Sequence, residues 1–191
     1  DAKRGDIGPS GEAYAKAMFD FWNFDAVTIN AWGGYDTVEP FISDDRRGAF
    51  IWCRGSNPGS SDLQDLTVES NSNQMLIYEI MAQYAENWNV KNNLGLVVGA
   101  TVTQQLKSVR ELCPKQVILI PGVGAQGGDL STSVLYGVDD RGRLAIINSS
   151  RGIIYASQKS DFAQAARIAA SKIKGILILS WKHQGRGGHR S

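Results

Sequence analysis

Asp1-Ala2-Lys3-Arg4-Gly5-Asp6-Ile7 sets two carboxylates around one ammonium in an Asp-x-Lys-x-x-Asp run. If residues 1–3 end a β-strand, Asp1 and Lys3 point to the same face, because strand side chains alternate with a period of two. An opposite charge within about 4–6 Å keeps the lysine ionised. A fixed ammonium beside a carboxylate can then meet negative charge that develops on a substrate. The same run also reads as a solvated loop of mixed charge. The placement of the other polar residues weighs between the two.

The second chemically informative stretch is Pro121-Gly-Val-Gly-Ala-Gln-Gly-Gly-Asp129. Gly122-x-Gly124-x-x-Gly127 follows a strand-like run and precedes a helix-like one, which is the context of a dinucleotide fingerprint. Ser149-Ser150-Arg151 after the next strand could hold a ribose 2′-phosphate, so an NADP oxidoreductase is one reading. That fingerprint normally serves the first βαβ unit of its domain, whereas at least four units precede it here. The loop also lacks the Lys-Ser/Thr of a nucleotide P-loop. A barrel uses the same residues as a phosphate site: the backbone N–H groups of Gly127 and Gly128 at a helix start, with the guanidinium fork of Arg151.

These residues need elements to hold them. Ala26–Asn30, Ala49–Cys53, Leu94–Val98, Val117–Ile120 and Leu144–Asn148 are short apolar runs rich in β-branched residues, which predict strands of a parallel sheet covered on both faces. Helix-length segments lie between and after them, at roughly 11–23, 35–42, 73–88, 103–112, 127–138 and 160–182. In the third, Leu76, Ile80 and Tyr84 recur at helical spacing, beside Met81 and Ala82. With the strand end at residues 1–3 this makes six β/α units, hence a barrel or a doubly wound sheet. Asp1, Lys3, Asn30, Arg54, Ser56, the 122–129 loop and residues 148–151 all fall at carboxyl ends of strands, where α/β proteins build their sites.

The chain has 191 residues, 42% hydrophobic and 20% charged, with a net charge of +1. That is enough chain for a sizeable core, and the charge balance announces neither a nucleic-acid nor a membrane partner. Cys53 and Cys113 are too few for a disulfide framework, which suits a reducing, cytoplasmic setting. The histidines, His183 and His189, fall in or just before the Gly/Arg-rich stretch 183–191, which reads as a flexible tail behind a body of residues 1–182. A histidine triad or multi-histidine metal centre in that body is therefore not expected.

Together, Asp1-Ala-Lys3-Arg-Gly-Asp6-Ile7, Ser56-Asn-Pro-Gly59, Pro121-Gly-Val-Gly-Ala-Gln126-Gly-Gly-Asp129 and Ser150-Arg151-Gly152-Ile153 resemble the orotidine 5′-monophosphate decarboxylase family, in the branch whose motif reads D-A-K-R-G-D-I. The resemblance runs to about residue 174. It implies a (β/α)₈ TIM barrel acting as a homodimer, with no metal or organic cofactor, that converts orotidine 5′-monophosphate to UMP. It implies that Lys3 protonates C6 of the pyrimidine, that Asp1 is the carboxylate beside it, and that Asp6 reaches into the partner's site. Ser10 stands where the family commonly has threonine, although it would equally serve as a helix N-cap. Ser56 matches the serine that bonds the pyrimidine amide edge; Gln126 and Arg151 match the phosphate ligands. Asn30–Asp36 resembles the branch's Asn-Pro-Tyr-x-Gly-x-Asp stretch with Ala31 and Trp32 substituted, and no catalytic role attaches to it.

The chemistry such a family performs leaves a localised carbanion at C6 with no nearby carbonyl to delocalise it, so electrostatics must come from the protein. A full barrel typically takes about 250 residues. On the resemblance, this sequence starts at the end of the third strand; the first two strands, which carry a further aspartate and lysine in the family, are absent from it, and a longer chain is the favoured reading. The alternatives are a Mg²⁺-dependent keto-sugar phosphate decarboxylase or synthase on the same barrel, which the Ser56–Gly59 and Gln126–Asp129 stretches disfavour, the NADP oxidoreductase, and a non-catalytic phosphate-binding scaffold.

Overall fold

Each strand of the main sheet is laid beside the one before it. The computed structural model describes residues 1–70, 73–123 and 129–185. Strands β1 (Ala26–Ile29), β2 (Gly48–Arg54), β5 (Leu94–Val98), β6 (Ile118–Pro121) and β7 (Ala145–Asn148) pair in parallel in the order β1-β2-β5-β6-β7. A single parallel bridge from Arg4 to Ile29 adds the N-terminal segment beside β1, and the Asn30 N–H donates to the Arg4 carbonyl at 2.7 Å. The expected strand end at residues 1–3 is thus a stub rather than regular strand: Lys3 has φ +48°, in the left-handed region.

Right-handed crossovers that always advance in one direction put their helices on one face of the sheet. That face holds the core. The register aligns Ile29, Ile51, Leu96 and Ile118 across four strands, and all four side chains are fully buried. Val38 and Phe41 of α2 (Tyr35–Ile42) are equally buried, as are Leu106 and Val109 of α5 (Thr103–Leu112). The opposite face is more open than the expected two-sided burial: the aligned row Trp52, Val97, Leu119 and Ile146 includes Trp52 at 37% and Ile146 at 47% exposure.

The first helix begins earlier than predicted, as α1 (Gly8–Lys16), and continues into a π-helical turn over Ala17–Phe21. The predicted 73–88 helix is divided. Residues Thr67–Ser70 (β3) and Asn73–Leu76 (β4) form an antiparallel ribbon, and α4 covers Ile77–Trp88. The Glu79 carboxylate accepts from the Leu76 N–H at 3.0 Å and so marks the helix start. The buried stripe of α4 is Tyr78, Ala82 and Ala85, at i, i+4 and i+7, while Tyr84 is 52% exposed. A short α3 (Ser61–Gln64) precedes the ribbon; α6 (Leu130–Gly137), α7 (Arg151–Ile154) and α8 (Phe162–Gly185) complete the helices used below. Among the described residues, no helix is long and apolar enough to cross a membrane.

At the amino-terminal rim, side chains tie the connecting loops down. Arg110 donates to the carbonyls of Gly137, Cys113, Gln116 and Leu144. Asn93 Nδ2 likewise donates to the carbonyls of Ile42, Asp44 and Arg47. Both bring side-chain donors to chain-turning carbonyls, three of which, those of Asp44, Cys113 and Leu144, also accept a backbone N–H.

Cys53 and Cys113 are buried free thiols, and each donates to a carbonyl of α4, Tyr78 at 3.3 Å and Ala82 at 3.2 Å. Burial pushes both thiols up, Cys113 to about 12. Since the thiolate is the reactive form, neither cysteine should react with an aromatic disulfide reagent at pH 8 until the protein is unfolded in denaturant, when both titrate. Prompt labelling of the native protein would contradict this packing.

Candidate active site

Lys3 and Asp1 meet directly. The lysine Nζ lies 2.8 Å from both carboxylate oxygens of Asp1. Thr28, buried in β1, donates its hydroxyl to Asp1 Oδ1 at 2.6 Å and accepts from the Lys3 N–H at 3.2 Å. Because Lys3 has a positive φ, simple strand alternation does not set its side chain; the Thr28 hydroxyl and the Asp1 carboxylate do. Thr28 was not singled out from the sequence. An inward threonine in an apolar strand run was the available signal, and it became visible only once the parallel register set it beside residues 1–3.

This charged group borders a cavity of about 370 Å³ at the carboxyl ends of the strands, whose lining also includes Trp52, Ser56, Asn57, Gly99 and Asn148. Ser56 is set tightly against β5: a side chain on Gly99 would place its Cβ 2.5 Å from the Ser56 Cβ, so glycine is required there. The segment that carries Ser56 is held from beneath by Arg54, which is buried. Its guanidinium pairs bidentately with Asp65, at 3.0 and 2.6 Å, and donates to the Gly55 carbonyl at 2.6 Å and to the Ser60 hydroxyl. Gln64 Oε1 accepts from the Gly55 N–H at 2.8 Å.

The other expected site residues fall as follows. Asp6 is exposed, and its Oδ1 accepts from the Ile7 N–H at 2.8 Å; no hydrogen bond or ion pair among the described residues joins it to Lys3. Ser10 lies inside α1, where Ile7 occupies the N-cap position, so the N-capping reading of Ser10 is corrected. Arg151 is exposed at the start of α7, three residues beyond the cavity-lining Asn148. Gln126, Gly127 and Gly128 lie outside the described residues. Asp129, just after them, caps α6: one carboxylate oxygen accepts from both the Thr132 hydroxyl, at 2.5 Å, and the Thr132 N–H, at 2.6 Å. These bonds hold the Asp129 carboxyl below its usual range. Asn30 turns to its own loop and accepts from the Trp32 N–H at 2.9 Å. Among the described residues, no three His, Cys, Asp or Glu side chains gather into a metal-binding group.

The sheet order bears on the dinucleotide reading. A doubly wound nucleotide fold binds its cofactor where the strand order reverses, and the order β1-β2-β5-β6-β7 runs one way throughout. Among the described strands, β6 therefore does not lie at such a reversal. A unidirectional β/α succession with a lysine–carboxylate pair at its carboxyl rim defines an α/β protein whose chemistry is built on its βα loops.

The chain belongs to the Orotidine 5'-phosphate decarboxylase / HUMPS family, whose model matches residues 1–167. It is 49% identical over 177 residues to an orotidine 5'-phosphate decarboxylase of Dehalococcoides mccartyi, with 93% of this chain and 66% of the relative covered. A Roseiflexus decarboxylase is 46% identical, covering 93% and 64%. Among solved structures it is similar to the Leishmania donovani OMP decarboxylase (TM-score 0.80, 37% identity, covering 93% of this chain and 67% of that one). It is also similar to the Leishmania donovani UMP synthase (TM-score 0.81, 40% identity, covering 93% and 38%). The chain thus spans about two thirds of the length of the curated relatives it matches.

Two stability outcomes follow from the supports of the site. Removing one partner of a buried charge pair leaves the other uncompensated, so Asp65→Ala should destabilise the fold by roughly 2–3 kcal/mol in urea unfolding. Asp129→Ala should cost about 1 kcal/mol as a lost N-cap. The Asp129 contribution is present above the unfolded carboxyl's ordinary value and is lost as pH falls through the lower folded value. The gap between wild type and Asp129→Ala should therefore close in acid, below about pH 4.

Proposed function

We propose that this protein decarboxylates orotidine 5′-monophosphate to UMP, the last step of de novo pyrimidine synthesis, with Lys3 as the proton donor. The observation that carries the reading is the Lys3–Asp1 contact at 2.8 Å on the rim cavity that Ser56 also lines. The C6–carboxylate bond breaks, its electron pair stays on C6, and CO₂ departs. Lys3 Nζ then delivers a proton to C6, and the neutral amine is reprotonated from solvent. An ammonium about 4 Å from the developing charge supplies roughly 4 kcal/mol at an effective dielectric near 20. The most proficient enzymes lower barriers by some 20 kcal/mol or more, so binding energy from the distant phosphate must organise the site as well.

In this reading Ser56 bonds the pyrimidine amide edge. Gln126 and Arg151, with the backbone N–H groups of Gly127 and Gly128, take the phosphate. Ser10 is a substrate-binding residue, and Asp6 serves the neighbouring site of a homodimer, which suits its exposed position and the absence, among the described residues, of a hydrogen bond or ion pair to Lys3. The five parallel strands and the Arg4–Ile29 bridge are an arc of a (β/α)₈ barrel that starts at the end of its third strand, and the open row from Trp52 to Ile146 faces the barrel interior.

The family's description names a second branch, HUMPS, beside the decarboxylases. The decarboxylase reading is favoured because relatives 46–49% identical to this chain carry that name and because both Asp1 oxygens are engaged by Lys3. Purified protein should convert orotidine 5′-monophosphate to UMP equally with and without a chelator, and Lys3→Ala should lose roughly 1000-fold or more in kcat. Turnover abolished by the chelator, or retained in Lys3→Ala, would overturn the assignment.

A further inference from the structure

Trp52 has no part in the roles assigned above, yet its ring lines the site beside the lysine. The Lys3 ammonium sits 5.9 Å from the centre of the Trp52 ring, within the range of a cation–π contact. The indole borders two cavities, the rim cavity of Lys3 and Asp1 and a neighbouring one of about 410 Å³ that contains Trp32, Leu63 and Tyr78. It therefore forms part of the partition between them. The indole edge lies close to the chain: a side chain on Gly55 would bring a Cβ to 2.7 Å from Asn57 Oδ1, 3.2 Å from Ser60 Cβ and 3.3 Å from Trp52 Nε1. Lys3 needs such a guide, because its φ of +48° removes it from strand geometry and its side chain is 39% exposed. Asp1 grips the ammonium from one side and leaves the other directions open.

We infer that Trp52 is a positioning residue for Lys3, its ring face limiting the ammonium to the arc that points into the rim cavity. This deepens the decarboxylase reading and rests on it for its kinetic consequence. A cation–π contact of the usual strength corresponds to roughly 3- to 30-fold in rate.

The test compares Trp52→Phe, which keeps a ring face, with Trp52→Leu, each alone and combined with Lys3→Ala, with thermal midpoints recorded to show that every variant folds. Trp52→Leu should lower kcat by roughly 3- to 30-fold with KM little changed, Trp52→Phe should recover most of the loss, and Trp52→Leu should add nothing in the Lys3→Ala background. An equal loss in both backgrounds, a loss in KM alone, or no loss would overturn the inference. A second readout does not depend on turnover. In protein dimethylated with ¹³C on its lysines, the Lys3 resonance, assigned by its disappearance in Lys3→Ala, should be displaced upfield by the ring current and move toward the free-lysine position in Trp52→Leu. No such movement would refute the contact, whereas wild-type protein without turnover but with the displaced resonance would refute the decarboxylase reading and leave the contact standing.

Discussion

The handedness of the β-α-β crossover governs this molecule. A right-twisted strand feeding a right-handed helix packs back on the sheet in one sense only, and each successive parallel strand here is added on the same side. Because the five strands are also parallel, all their carboxyl ends share one rim. Residues as distant in the chain as Asp1, Thr28, Ser56 and Asn148 border one cavity, and the Thr28–Asp1 hydrogen bond fixes the N-terminal segment to it. The amino-terminal rim has the opposite character: its loops are fastened by Arg110 and Asn93, which spend their donors on backbone carbonyls. The amino-terminal rim is fastened along its loops, and the carboxyl rim carries the cavity that Asp1, Lys3 and Ser56 line.

The two charge pairs near the rim show the same division. Lys3 and Asp1 are 39% and 67% exposed, and ion pairs in that setting contribute little to stability, since solvent screens them and ordering two side chains costs entropy. Their close contact serves the placement of a charge. Arg54 and Asp65 are different: the guanidinium is almost wholly buried and every donor group is spent inside the 54–65 segment. That pair fixes the loop that presents Ser56. A site of this kind is assembled from an exposed, chemically available pair carried on a stub and a loop stiffened from below.

Much of the architecture is legible along the chain. Five apolar runs of β-branched residues become the five parallel strands within a residue or so at their ends, because a strand packed under helices admits few other compositions. The ribbon at 67–76 was not anticipated. Leu76, Ile80 and Tyr84 suggest a helical face by spacing, but Glu79 caps the helix at Leu76, and the strand pairing of residues 73–76 with 67–70 depends on a partner that periodicity within one segment does not reveal.

By itself the sequence determined the succession of β/α units, the carboxyl-end placement of the polar residues and, through four motifs in order, the family. Those properties reside in local composition and spacing. Tertiary structure alone decided that Thr28 joins Asp1 and Lys3, that the order of the described strands runs one way without the reversal a dinucleotide crevice uses, and that Trp52 stands over the lysine. Each of these depends on which strand lies beside which and in what register, and a one-residue shift in register would turn Thr28 and Trp52 to the opposite face.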